Sequence, residues 1–305
     1  MQKTLVVLTG PTGIGKTSVG IEIARHFTTK IVSCDSRQIY KELNIGTAVP
    51  TPEELATIPH HFIQSHSIEE NYNASRYENE ALQLLEVLFK KHDLVLMVGG
   101  SMLYVDAVCK GIDEMPDADP EIRAALKQRL EAEGLESLRL QLKKLDPEYY
   151  ETVDLKNPTR IIHALEISLM TGKPYSSFRT NPAKIRSFNI IKIGLNCDRE
   201  LLHQRINQRV DRMIDAGLVE EARSVYPKKH MNALNTVGYR ELFDWFDGTI
   251  TRDKAIELIK RNSRRYARKQ LTWFRRDESV QWFEPTQTQE IISYISQTIQ
   301  QNDTQ

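Results

Sequence analysis

Four short apolar runs rich in β-branched residues mark the chain, at Leu5 to Leu8, Ile31 to Ser33, Leu94 to Val98 and Ile190 to Leu195. Each is followed by a glycine, a polar turn or a helical pattern, which is the rhythm of a parallel sheet with crossover helices. Between Glu121 and Met170 that rhythm stops. Leu126, Leu130, Leu138 and Leu142 recur at helical spacing there and no strand-like run appears, so a helical insertion is predicted. Its expected edges are Met115-Pro116-Asp117-Ala118-Asp119-Pro120 on one side and Thr171-Gly172-Lys173-Pro174 with Asn181-Pro182 on the other, since prolines gather at such hinges. The pattern thus predicts an α/β core of residues 1–115 and 184–305 and a helical domain of residues 116–183. From Arg199 onward the spacing is helical again, and only the polar tail after Ser296 reads as disordered.

A chain of 305 residues is long enough for one large core with an insertion, or for two domains. Its 41 basic and 41 acidic residues cancel, which excludes a protein that coats nucleic acid or membrane through bulk charge. Any nucleic-acid site has to be local. One stretch qualifies: Arg252 to Arg276 holds ten lysines or arginines against Asp253 and Glu257, with Tyr266, Trp273 and Phe274 among them. A basic helix of this kind follows a phosphate backbone while a ring stacks on an exposed base; the alternative is a solvated helix whose aromatics sit in the core. Trp273 and Phe274 are expected to be at least partly core. Arg264 and Arg268, four apart and so on one face, are the candidate phosphate contacts.

Cys34, Cys109 and Cys197 form no CxxC pair, so neither a zinc site nor a disulfide framework is expected. The opening Met1-Gln2-Lys3-Thr4 leads into an apolar run too short for a signal peptide or membrane span. A cytoplasmic, membrane-free protein is the expectation.

Gly10-Pro11-Thr12-Gly13-Ile14-Gly15-Lys16-Thr17 fits GxxxxGK[ST] and lies between the first apolar run and a helical pattern, where a P-loop has to lie. The glycines let successive backbone N–H groups converge, the following helix adds its positive end, Lys16 supplies a charge and the Thr17 hydroxyl is a Mg²⁺ ligand. A polyphosphate site follows, though the loop does not say which polyphosphate, and most such loops serve ATP or GTP. Two features weigh against nucleotide hydrolysis. The run Leu94 to Val98 ends in Gly99-Gly100-Ser101, where a hydrolase would place a Mg²⁺-holding aspartate, and no NKxD motif occurs.

After Ile31-Val32-Ser33 comes Cys34-Asp35-Ser36-Arg37-Gln38-Ile39-Tyr40. This places Asp35 at the carboxyl end of a strand expected beside the P-loop strand, where open α/β sheets bind ligands. It is a candidate general base or metal partner; the plainer reading is a helix cap. Arg205 and Arg209, one helical turn apart, form either a solvated basic face or an anion site.

Taken together, Gly-Pro-Thr-x-x-Gly-Lys-Thr at 10–17, Asp-Ser-Arg-Gln-Ile-Tyr at 35–40 and Asn-Ile-Gly-Thr-Ala at 44–48 resemble the tRNA dimethylallyltransferase family. Val98-Gly99-Gly100-Ser101-Met102-Leu103-Tyr104, Asn157-Pro158-Thr159-Arg160 with Ala164-Leu165-Glu166, Val237-Gly238-Tyr239-Arg240 and Gln270-Leu271-Thr272-Trp273-Phe274-Arg275 follow in the family's order. The likeness spans nearly the whole chain. It looks bacterial in type, because a eukaryotic relative would carry a C-terminal C₂H₂ zinc finger and no cysteine follows Cys197.

The resemblance implies a P-loop NTPase-like core in which residues 10–17 hold dimethylallyl diphosphate with Mg²⁺. The acceptor it implies is the N6 amine of the adenosine 3′ of the anticodon. An exocyclic adenine amine is a poor nucleophile, so a base that takes its proton is useful, and Asp35 suits that role. By family position Arg209 stabilises the leaving diphosphate, with Arg205 the alternative. Ser101 stands where the family usually has threonine; it keeps the hydroxyl and loses the methyl that restricts χ1. The family's tRNA contacts fall on Asp35, Ser36, Arg37, Gln38 and Ser101, on Arg123, Thr159, Arg160, Ile161, Ile162 and His163 in the insertion, and on Val237, Gly238, Tyr239 and Arg240. A monomer gripping the anticodon stem-loop from two sides is the expectation. The rivals are a P-loop small-molecule or nucleoside kinase and a non-catalytic RNA-binding P-loop protein. A kinase has no use for so basic a C-terminal helix, and a binding module has none for Asp35 beside the loop.

Overall fold

The computed structural model describes residues 2–113, 115–116, 119–179 and 184–303. The expected hinge residues Asp117-Ala118 and Asn181-Pro182 lie outside the described residues. The chain divides into two compact units, Met1–Lys110 with Ile185–Gln305, and Gly111–Lys184, against an expected insertion of 116–183.

The first unit is built on six parallel strands, β1 (Thr4–Thr9), β2 (Ile31–Ser33), β3 (His60–His61), β4 (Leu94–Val98), β5 (Asn189–Leu195) and β6 (Val280–Phe283), in the order β3-β2-β4-β1-β5-β6. The four apolar runs are β1, β2, β4 and β5. They read as continuous apolar segments because both faces of a parallel sheet are covered: Leu5, Val7, Val95 and Met97 enter one core and Val6, Leu8, Leu94 and Leu96 the other. The two edge strands escaped the pattern. β3 has only two residues, and β6 reads Val-Gln-Trp-Phe, with Gln281 exposed on the sheet edge.

Helices α1 (Lys16–His26), α2 (Pro52–Thr57), α3 (Ala74–Phe89) and α4 (Met102–Lys110) precede the second unit. That unit holds α5 (Pro120–Glu133), α6 (Leu135–Leu145), α7 (Pro147–Thr152) and α8 (Pro158–Thr171). Helices α9 (Arg199–Asp215), α10 (Leu218–Val225), α11 (Tyr239–Phe246), α12 (Arg252–Phe274) and α13 (Thr288–Asp303) follow it. Within the second unit Asp119 accepts from the N–H groups of Glu121 and Ile122 to start α5, and Asn157 accepts from Arg160 N to start α8, each with proline as the first helical residue. Leu126, Leu138 and Leu142 from the predicted stripe are buried there with Ile161 and Leu165, and Leu130 packs against them.

Two expectations are corrected. The tail after Ser296 is not disordered through Asp303: α13 continues, because Ile291, Ile292 and Ile295 are buried and Ile299 packs against the same core. And β2 is not the neighbour of the P-loop strand, since β4 pairs with both. Among the described residues no helix is long and apolar enough to cross a membrane.

Candidate active site

The carboxyl edge of the sheet gathers the site. β1 runs into the loop 10–17, whose Gly10, Gly13 and Gly15 have φ of 149°, 80° and 105°, a region that excludes most side-chain-bearing residues. Lys16 Nζ donates to the carbonyls of Gly10 at 3.0 Å and Pro11 at 2.8 Å. Asp35 has to reach this loop across β4. It does so because β4 ends in Gly99-Gly100: a Cβ on Gly99 would lie 2.6 Å from the Cys34 carbonyl carbon, and one on Gly100 would lie 2.3 Å from Gln270 Nε2.

Asp35 Oδ1 accepts from the N–H groups of Arg37 at 2.8 Å and Gln38 at 3.3 Å. One oxygen thus orders the turn, as the capping alternative supposed, while the residue still lines the cleft. Ser101 Oγ accepts from the Ser36 N–H at 2.8 Å and donates to Ser36 Oγ at 3.0 Å. Hydrogen bonds, in place of a threonine methyl, fix this hydroxyl. Burial and then Asp35 push the Tyr266 phenol up to about 12, so it stays protonated at neutral pH.

Two cavities of about 680 and 780 Å³ share Thr12, Asp35, Arg209, Met213 and Tyr266, so they are lobes of one cleft. The first is lined by Arg37, Arg240, Arg265, Arg268 and Lys269. The second is lined by Lys16 and Thr17 together with Ile45 and Val49. One lobe is polycationic and open to a large anion; the other joins a phosphate loop to an apolar wall. Burial lowers the Lys16 ammonium to about 8, against the pull of Asp35 and with the push of Arg209. Burial also lowers Arg209, and Asp35 opposes it. Arg205 donates to the Ile14 carbonyl at 3.2 Å and lines neither lobe.

Thr17 fits a Mg²⁺ ligand: its hydroxyl makes no hydrogen bond among the described residues and the residue lines the phosphate lobe. Such an ion takes one or two protein oxygens and completes its shell with phosphate and water. No cluster of three His, Cys, Asp or Glu side chains suited to a metal exists among the described residues.

The residues expected to contact tRNA stand in differing surroundings. Tyr239 is fully buried and donates to Glu221 Oε1 at 2.6 Å, so it does not face the cleft, whereas Val237, Gly238 and Arg240 do. Gln38 spends its amide on the carbonyls of Thr47 and Ala48 at 3.2 and 2.8 Å. In the helical unit Ile161 and Ile162 are core side chains. Thr159 and Arg160 are exposed, and Arg123 pairs with the buried Glu166 at 2.6 Å, His163 lying 3.7 Å from the same oxygen. On α12, Arg264 donates to Asn207 at 2.5 Å, and Arg265 and Lys269 join Arg268 in the cleft. Phe274 is core, and Trp273 is half-buried and donates to Asp106 at 2.9 Å.

Sequence reasoning missed Glu221 and Gln270. Glu221 accepts from the backbone N–H groups of Asn44, Ile45 and Gly46 at 3.0, 2.7 and 2.9 Å, which fixes the wall loop. Gln270 is 2 % exposed; its available signal was a polar residue in the stripe of Ile259, Ala267 and Phe274 that α12 buries.

The IPP transferase family model matches residues 38–277. The chain is 56% identical over 297 residues to tRNA dimethylallyltransferase 1 of Bacteroides fragilis, covering 97% of this chain and 99% of that one. It is 57% identical over 295 residues to tRNA dimethylallyltransferase 1 of Phocaeicola vulgatus, covering 97% and 98%. Its fold is similar to the full-length tRNA isopentenylpyrophosphate transferase of Bacillus halodurans, with a TM-score of 0.74, 33% identity and 99% of both chains covered. It is also similar to a eukaryotic dimethylallyltransferase acting on tRNA, with a TM-score of 0.73 and 26% identity over 89% of this chain and 70% of that one. A family model over most of the chain and relatives more than half identical across nearly all of it lead to one conclusion: the chain belongs to the IPP transferase family of tRNA dimethylallyltransferases.

Proposed function

We propose that the protein transfers the dimethylallyl group of dimethylallyl diphosphate to N6 of the adenosine immediately 3′ of the anticodon of tRNA. The observation that carries this reading is the shared wall: Asp35 and Arg209 stand between a lobe built on the phosphate loop and a lobe lined by cations. A diphosphate with an apolar tail suits the phosphate-loop lobe, and an RNA loop suits the cationic lobe.

In the reaction Asp35 accepts the N6 proton as the N–C bond forms and the carbon–oxygen bond to diphosphate breaks, so charge moves from amine to leaving group. Backbone N–H groups of Gly13, Gly15, Lys16 and Thr17, with the Lys16 ammonium and Arg209, face the charge that grows on the diphosphate. Thr17 would hold Mg²⁺ with the diphosphate oxygens, and that ion neutralises leaving-group charge when bound. Ser101 and Tyr266 provide hydroxyls at the acceptor side. Turning the adenine out of its stack costs about a few kcal/mol, which cationic contacts from Arg37, Arg240, Arg265, Arg268 and Lys269 help offset; Arg123, Thr159, Arg160 and His163 of the helical unit are the further tRNA contacts that the family likeness implies. In this reading the protein works as a monomer in the cytoplasm. Nothing favours a kinase, because β4 delivers Gly99-Gly100-Ser101 and no acid at its end.

Incubation with unmodified tRNA, Mg²⁺ and either labelled dimethylallyl diphosphate or γ-labelled ATP separates the alternatives. Isoprenyl label should enter RNA; phosphate transfer without it would refute the proposal.

A further inference from the structure

We infer that Gln270 is a positioning residue that sets the spacing between the phosphate loop and the Gly100–Ser101 turn, an inference that rests on the function proposed above. Its Oε1 accepts from the Thr12 N–H at 2.9 Å and its Nε2 donates to the Gly100 carbonyl at 2.8 Å. Thr12 stands in the wall of both lobes, and Ser101 follows Gly100 directly. One buried amide therefore ties the loop that holds the leaving group to the turn that carries the acceptor-side hydroxyl.

The chemistry of that tie is specific. The two partners are a donor and an acceptor, and only an amide answers both from one flat end group. Glutamate would set an oxygen against the Gly100 carbonyl, and methionine would offer neither bond. The fit is close: a Cβ at position 100 would stand 2.3 Å from Gln270 Nε2, so a side chain there would displace the amide.

Gln270 also continues a face of α12. Ile259, Asn262, Ser263 and Tyr266 line the cationic lobe, and Gln270 lies one turn beyond Tyr266 in the wall of the phosphate lobe. The helix that carries Arg265 and Arg268 to the acceptor side thus ends its cleft face on the donor loop. Displacements of about 1 Å at reacting atoms cost up to about 10²-fold in rate, so a residue that fixes this spacing should act on turnover.

The test compares wild type with Gln270→Met and Gln270→Glu, measuring kcat, KM for tRNA, and the Kd and stoichiometry of inorganic pyrophosphate by calorimetry. Both variants should lose about 10²-fold in kcat, with KM for tRNA within about twofold. Gln270→Met should weaken pyrophosphate by roughly tenfold at unchanged stoichiometry, the size of one lost polar tie. A merely structural lesion would instead lower the stoichiometry and leave Kd alone, and that result overturns the inference, as does kcat within about threefold of wild type in either soluble variant. If Gln270→Met does not fold, Gln270→Glu decides by the same kcat and stoichiometry criteria. Wild type that binds pyrophosphate but transfers no prenyl group would refute the proposed function alone, leaving the effect of Gln270 on pyrophosphate binding to be judged separately.

Discussion

Ser101 Oγ accepts a hydrogen bond from the Ser36 N–H at 2.8 Å, which joins the end of β4 to the turn that carries Asp35. That bond is part-buried, and a hydrogen bond of this kind contributes about 0.5–1.5 kcal/mol. Ser101→Ala should therefore lower stability by roughly that amount and lower kcat as well, because the Asp35 turn loses its anchor. Ser101→Thr keeps the acceptor and should hold kcat within about threefold, the added methyl restricting a rotamer already fixed by hydrogen bonds. Thermal unfolding and single-turnover kinetics on both variants check this, and a fully active, fully stable Ser101→Ala contradicts it.

Asp35→Asn tests the base without disturbing its turn, since an asparagine oxygen still accepts from the Arg37 and Gln38 N–H groups that Oδ1 now serves. Turnover should fall by about 10²-fold or more while tRNA affinity stays near wild type. Equal losses in both quantities would mean that Asp35 binds and does not act as base.

Lys16 gives the phosphate lobe a pH signature. Burial lowers its folded value to about 8, below the unfolded lysine range, so its charged form costs the fold stability at neutral pH. That cost fades as pH rises from about 8 toward the unfolded value. Lys16→Met should accordingly raise the Tm of the free protein at neutral pH while abolishing the protection that pyrophosphate confers. In wild type, pyrophosphate affinity should weaken as pH rises through 8, with net proton uptake on binding near that pH. Calorimetry in buffers of different ionisation enthalpy reads both; a flat affinity between pH 7 and 9 contradicts the assignment.

The basic helix makes a contrasting pair of variants possible. Arg265 and Arg268 face the cationic lobe, so replacing both by glutamine should reduce the slope of log affinity for tRNA against log salt by about one unit per lost phosphate contact. Arg264→Gln should change the slope little, because that guanidinium is committed to Asn207.

That last contrast shows where the sequence stops being legible. The apolar runs named the four inner strands because a strand covered on both faces is apolar throughout, and the P-loop declared itself by spacing. Asp35 was legible as an acid at a strand end, yet its distance from the loop was set by strand order, which no local pattern encodes. Arg264 and Arg268 share a face by spacing alone, but whether that face meets solvent, Asn207 or the cleft depends on how α9 packs on α12. Tyr239 was expected among the tRNA contacts from the family resemblance; it is buried, its hydroxyl donating to Glu221. Gln270 and Glu221 bind backbone groups across the fold; a polar residue in the buried stripe of α12 marks Gln270 as unusual, but its backbone partners cannot be read from side-chain spacing.

The most direct test of the central claim is where the label goes. Unmodified tRNA incubated with labelled dimethylallyl diphosphate, Mg²⁺ and the protein should, after digestion, carry label on a single adenosine immediately 3′ of the anticodon, attached at N6. Asp35→Asn should show that product strongly reduced at saturating tRNA. Label on no nucleotide, on another base, or undiminished in Asp35→Asn would contradict a site in which Asp35 stands between a prenyl diphosphate and an extruded adenine.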